Sequence, residues 1–129
     1  MTPPKTQSIL LIDDDDDDGF LFAAALRELD KSIAFVHYLD GEKALHDLKS
    51  FKLNPDCIFL DLNMPRMSGI EVLRELKTVK RLWHIPIIIC STTKNKEHID
   101  TVMALGAEKF ISKPNSIKDL VKEVRNAII

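Results

Sequence analysis

A three-layer α/β domain, with a five-stranded parallel sheet between two layers of helices, is the architecture this sequence predicts. Three observations carry that expectation. Short apolar runs of strand length alternate with longer segments of helical period five times along the chain. Three of those runs, SILLI (8–12), CIFL (57–60) and PIIIC (86–90), are continuously apolar, as strands covered on both faces are. The chain has 129 residues, 45% of them apolar and 29% charged, enough for one domain with a substantial core.

The elements follow in order. SILLI is the first strand. The segment after it, Gly19 to Leu29, has helical period, with Phe22, Leu26 and Leu29 on its apolar face. IAFVHY (33–38) is the second strand, and Ala44, Leu45 and Leu48 mark a second helix capped by Asp40. After CIFL, Ile70, Leu73 and Leu76 give the third helix. PIIIC leads to a fourth, capped by Asn95, with Ile99, Val102 and Met103 inward and Gly106 as the left-handed residue that ends it. EKFIS (108–112) is the fifth strand. The last helix has the clearest pattern, with Ile117, Leu120, Val121, Val124 and Ile128 on one stripe and Ser116 with Asp119 at its start. Right-handed crossovers between parallel strands place helices on both faces of the sheet.

Composition narrows the function. A net charge of −2 offers no general attraction for nucleic acid or an anionic membrane, and Lys77, Lys80 and Arg81 read as solvated helix surface. No apolar run approaches the roughly 18 residues that span a bilayer. The amino-terminal MTPPKTQS lacks the apolar stretch of a secretion signal, so a cytoplasmic location is the default expectation. Cys57 and Cys90 lie in apolar surroundings, where reduced cysteines act as small hydrophobes. Trp83 falls in the loop before strand four.

Ligands of such sheets bind beyond the carboxyl ends of the strands. There the sequence places Asp13 and Asp14, Asp61, Ser91, and Lys113 followed by Pro114. Two carboxylates about 4 Å apart repel by roughly 1 kcal/mol in water and about 4 at an effective dielectric near 20, so three in one crevice call for a cation. Oxygen-only ligands favour a hard ion, Mg2+ above all. Consecutive aspartates do not match a calcium loop, which spaces its acids at alternate positions with glycine sixth.

The set IDD (12–14), LDLNMPRMSG (60–69), CS (90–91) and FISKP (110–114), with spacings of 30 from Asp61 to Ser91 and 22 from Ser91 to Lys113, resembles the receiver domain of two-component response regulators, in particular stand-alone, chemotaxis-type receivers. The resemblance covers essentially the whole chain. It implies a flavodoxin-like fold with strand order 2-1-3-4-5, and one receiver over residues 1–129 with no output domain, hence no direct transcriptional output.

It also implies roles. Asp61 accepts a phosphoryl group from a histidine kinase or phosphotransfer protein as an acyl phosphate. Asp14 ligates Mg2+ directly, Asp13 through water, and Asn63 offers a backbone carbonyl. Lys113 neutralises phosphoryl oxygens, with a cis bond to Pro114 turning it inward. Ser91 bonds the new phosphoryl group and Phe110 swings in behind it. The face formed by helix four, strand five and helix five changes for an unidentified protein target, and is the candidate for pairing two copies. Chemistry on the chain is then limited to self-catalysed phosphotransfer and dephosphorylation, the lifetime influenced by Asn63 and Thr93.

Two features depart from the family: more acids than usual follow strand one, and serine stands at 91 where threonine is common. Asp15 to Asp18 are read as entering the first turn of helix one, favouring the positive end of its dipole, which leaves the metal carboxylates open by one residue. Two other readings stand beside this one. An Mg2+-dependent phosphohydrolase of haloacid-dehalogenase type also attacks with a strand-end aspartate, but wants an acid two residues later, where Asn63 stands. A receiver-like scaffold acting without phosphorylation is the other.

Overall fold

The computed structural model describes residues 6–128. The first five residues of the amino-terminal segment read for a secretion signal lie outside them. The strands are β1 (Ser8–Ile12), β2 (Ala34–Tyr38), β3 (Cys57–Leu60), β4 (Ile87–Ser91) and β5 (Lys109–Ser112). The helices are α1 (Asp16–Leu29), α2 (Gly41–Lys49), α3 (Gly69–Lys77), α4 (Lys96–Ala104) and α5 (Ile117–Ile128), with a 3-10 turn at Lys80–Leu82. All strand pairs are parallel, in the order β2-β1-β3-β4-β5. The domain is therefore the flavodoxin-like three-layer fold.

Successive side chains of a strand point to opposite faces, which splits the apolar residues into two cores. Leu10, Ile12, Ile58, Leu60, Ile87 and Ile89 face α2, α3 and α4, meeting Leu48, Val72, Leu73 and Val102. Ile9, Leu11, Phe59, Ile88 and Ile111 face α1 and α5, meeting Phe22, Leu26, Leu120 and Val124. Phe22 stacks on Phe35 at 5.5 Å between centroids and meets Phe59 edge-on at 4.8 Å. β1, β3 and β4 read as unbroken apolar runs because both faces are covered. The edge strand β2 is only partly covered, which is why its sequence is mixed.

The caps account for most helix boundaries. Asp40 accepts from Glu42 N–H, and Asn95 from Glu97 and His98 N–H, as the sequence predicts. Ser116 accepts from Asp119 N–H at 3.1 Å, and Gly106 has the left-handed φ of +102°. Asp16 to Asp18 form the first turn of α1 ahead of the apolar segment from Gly19, as the sequence predicts, and Asp15 stands as the cap, accepting from Asp17 and Asp18 N–H. Two readings need correction. Met103 is 42% exposed, so α4 buries Val102 rather than a wide stripe. Arg81 is not merely solvated: its guanidinium donates to the carbonyls of Leu48 and Lys49 at 2.9 and 2.6 Å, closing the end of α2, and lies over the ring of Phe51. Trp83 likewise donates from Nε1 to Lys77 O at the end of α3. Both cysteines are buried and unpaired, with thiol pKa values pushed up to about 12 by burial. They are inert as nucleophiles.

Leu73 is fully buried where α3 meets the sheet. Its replacement by alanine is expected to cost about 2–5 kcal/mol of stability, read as a lower urea midpoint with an unchanged slope.

Candidate functional site

Three of the site residues stand one position beyond the carboxyl ends of strands, and the backbone ladder holds each of them. Asp13 N–H donates to Tyr38 O at 3.0 Å, Asp61 N–H to Ile12 O at 2.9 Å and Lys113 N–H to Ser91 O at 3.0 Å. The ladder thus runs one residue past the strands, so their Cα positions are as fixed as the sheet. His37 reinforces this end through a 2.7 Å hydrogen bond between its Nε2 and the carbonyl of Asp13. Behind Asp61 the chain turns into α3, where Ser68 and Glu71 form a reciprocal capping box. Gly69 is required there. Its N–H donates to Leu62 O, and a Cβ at 69 would stand 2.2 Å from Asp61 O.

The side chains converge. One carboxylate oxygen from each of Asp13, Asp14 and Asp61 lies within 4.8 Å of the others; Asp13 and Asp61 are buried and Asp14 exposed. The ammonium of Lys113 lies 3.0 Å from Asp13, 3.5 Å from Asp61 and 2.6 Å from Asp18. Asp14, Asp15, Asp18, Asp61, Asn63, Thr92 and Lys113 line an open cleft of about 380 Å³. Asp13 is held from below, accepting the N–H of Asp15 at 3.0 Å.

Electrostatics follow from burial. Desolvation pushes the Asp13 carboxyl up to about 6, against the lowering effect of the Asp15 N–H and of Lys113. Asp61 is raised for the same first reason, although Lys113 and the Asn63 backbone N–H favour its ionised form. Burial also works against the charged form of Lys113, but its hydrogen bonds to Asp18 and Asp13 and the charge of Asp61 outweigh that, and its pKa stands above the ordinary lysine value. Three carboxylates, those of Asp13, Asp18 and Asp61, thus share one ammonium, and that of Asp14 lies beside two of them. At about 5 Å, each pair of ionised carboxylates repels by about 3 kcal/mol at an effective dielectric near 20. A hard cation on the Asp13, Asp14 and Asp61 oxygens would relieve that repulsion, and the donor set fits one.

A family model described as the response regulator receiver domain matches residues 9–125. The chain belongs to that family. Among solved structures this receiver is similar to the phosphorylated cyanobacterial phytochrome response regulator RcpA, with a TM-score of 0.86 at 30% identity, covering 95% of this chain and 91% of that one. The Mn2+-bound form of response regulator Rcp1 gives 0.80 at 29% identity, covering 93% and 90%. Among curated relatives, the two-component response regulator ARR15 of Arabidopsis thaliana is 35% identical over 91 residues, 70% of this receiver and 43% of the relative. The receiver thus spans less than half of that relative's length.

Of the residues singled out from the sequence, Asp14, Asp61, Asn63 and Lys113 line the receiver's cleft, and Asp13 is buried beside them with its carboxylate against Lys113. Ser91 is fully buried just beneath, its Oγ accepting the N–H of Thr93 at 3.2 Å; its neighbour Thr92 lines the cleft instead. Phe110 is half-buried in β5 against the α2–α4 core. No peptide bond among the described residues is cis, so the bond to Pro114 is trans. Pairing of β5 with β4 already aims Lys113 inward. Asp18 stands in the first turn of α1, as the sequence predicts, and its carboxylate also accepts from Lys113. A sequence signal exists for it: three residues after the cap, the first helical turn brings a side chain back toward the strand ends.

The raised carboxyls set the sign of a pH effect. Asp13 keeps its proton to about pH 6 in the folded chain, whereas an unfolded aspartate releases it near 4. Its stabilising contribution is complete below about pH 4 and is lost as pH rises through 6. Relative to Asp13→Asn, the metal-free wild type is expected to lose on the order of 2 kcal/mol between pH 4 and 7, measured by chemical denaturation at each pH.

Proposed function

We infer that this receiver is a phosphorylation-controlled binding module in which Asp61 takes a phosphoryl group from a histidine kinase or phosphotransfer protein. The observation that carries this reading is the position of the Asp61 carboxylate: buried at the end of β3, 3.5 Å from the Lys113 ammonium and within 4.8 Å of oxygens of Asp13 and Asp14. In the transfer, an Asp61 oxygen forms the new bond to phosphorus as the P–N bond of a phosphohistidine breaks, its electron pair passing to the imidazole nitrogen. Such a reaction asks the protein for positioning and charge neutralisation, and the ladder-fixed Asp61 and the ammonium opposite supply both.

Asp13, Asp14 and Asp61, with the backbone carbonyl of Asn63, would hold Mg2+. When bound, the ion neutralises negative charge on the phosphoryl oxygens. Lys113 takes another phosphoryl oxygen. Ser91 donates its hydroxyl proton to a third, which draws β4 toward Asp61 and opens room for Phe110 to turn inward. The face of α4, β5 and α5 then differs between the two states, and a protein target reads it; the same face is where two copies would pair. RcpA solved phosphorylated and Rcp1 solved with Mn2+ support the reading by similarity. Beyond its own phosphotransfer and dephosphorylation the receiver turns nothing over. No described helix is long and apolar enough to cross a membrane, and a cytoplasmic site of action fits a histidine-kinase donor.

Beryllofluoride or acetyl phosphate with Mg2+ is expected to shift amide resonances of the wild-type chain around Asp61, Ser91 and Phe110, and to raise its thermal midpoint. Asp61→Asn is expected to show neither response. Equal responses from the two chains would remove Asp61 from the reaction.

A further inference from the structure

The shortest contact of the Lys113 ammonium is not with the residues of the proposed transfer but with Asp18, at 2.6 Å and across 95 residues of sequence. Asp13 follows at 3.0 Å and Asp61 at 3.5 Å. An ammonium has three protons, and three carboxylates surround this one. A phosphoryl oxygen arriving on Asp61 needs one of those protons, so one carboxylate must give way. Asp61 itself carries the new group, and Asp13, whose other oxygen accepts the N–H of Asp15, is one of the residues that would hold the cation. Asp18 is the competitor that remains. It is held for that purpose by the helix: Asp15 caps α1 and accepts the N–H of Asp18 at 3.4 Å, which sets the first turn beside the end of β5. The pair is only partly solvated, with the lysine side chain 17% and the aspartate 31% exposed, so their attraction is less screened than at an open surface.

We propose that Asp18 is a positioning residue that holds Lys113 in the unphosphorylated receiver and competes with the phosphoryl group for it, thereby setting how readily the phosphorylated state forms and persists. This rests on the phosphoryl-acceptor reading of Asp61. Neutralising Asp18 frees the ammonium for the phosphoryl oxygens and favours the phosphorylated state.

The test is beryllofluoride affinity at saturating Mg2+, followed by amide NMR, in wild type, Asp18→Asn, Asp17→Asn, Lys113→Ala and the Asp18→Asn/Lys113→Ala pair. Asp18→Asn is expected to bind roughly three- to tenfold more tightly than wild type. Asp17→Asn removes the same charge from the same turn without touching Lys113, and is expected to stay within about twofold of wild type. In the Lys113→Ala background the Asp18 substitution is expected to change nothing, since its effect passes through the lysine. A gain that survives without Lys113 would show general relief of repulsion and overturn the proposal, as would equal affinities of wild type and Asp18→Asn. The Lys113 side-chain resonance gives a second readout, free of beryllofluoride: it is expected to shift in Asp18→Asn and not in Asp17→Asn, and an unshifted signal overturns the contact. Wild type that fails to bind beryllofluoride would overturn the acceptor reading and this proposal together, whereas normal wild-type binding with an inert Asp18→Asn defeats this proposal alone.

Discussion

The site depends on one ammonium among carboxylates. Lys113 stands within 3.5 Å of Asp13, Asp18 and Asp61, which lie between 52 and 100 positions before it in the sequence. Without it, two buried aspartates would face a third and a fourth with no compensating charge, and burial would drive them toward the neutral form. With it, they are held on the edge: burial pushes Asp13 up to about 6 and raises Asp61 as well, while Lys113 pulls both back toward the ionised form. A carboxylate in that condition favours any added positive charge. The repulsion among these carboxylates is therefore what a cation bound on their oxygens would relieve.

That repulsion persists because the backbone does not yield. Asp13, Asp61 and Lys113 each donate their own N–H into the ladder of the neighbouring strand, so repulsion cannot separate them without breaking sheet hydrogen bonds. The sheet in turn is held by two cores whose residues alternate along the same strands, Ile12 and Leu60 on one side, Leu11 and Phe59 on the other. The parallel register Ile12 with Leu60 brings the two strand ends level, and the aspartates that follow are level in consequence. Packing thus fixes a distance between charges that they would not choose for themselves. Gly69 completes the frame, since only a residue without Cβ lets α3 begin against the carbonyl of Asp61.

The parts of this arrangement that were legible in the sequence are those where one local rule acts alone. Strands buried on both faces announce themselves as SILLI, CIFL and IIIC, and Asp40 and Asn95 cap as their residue types suggest. The site residues were legible because strand ends converge in a sheet of this kind, whichever residues fill its middle. Features set by contact between distant segments were not. Arg81 reaches the carbonyls that end α2 from 32 and 33 residues away, and nothing in KRLW records that. Met103 fits a helical stripe and is nevertheless exposed, because α4 lies over the sheet with Val102 alone fully buried.

The six aspartates show how the two kinds of information interlock. Like charges in sequence suggest a common purpose, but the turn from β1 into α1 changes direction within the run and sends them different ways. Asp13 goes down against Lys113, and Asp14 stays at the mouth of the cleft with an oxygen within reach of Asp13 and Asp61. Asp15 becomes the cap, and Asp16 and Asp17 stand in the first turn, where a helix tolerates negative charge. Asp18 completes that turn and comes back to the lysine. Each neighbour adds repulsion to the next, which would be a defect in a strand or a loop. Here it is offset by the N–H groups of the first helical turn, two of which Asp15 accepts, and by an ammonium between the run's first and last members. The helix dipole, the cap and the ion pair are therefore one device. By folding the acidic run around Lys113, it fixes the lysine's position before any ligand enters the cleft.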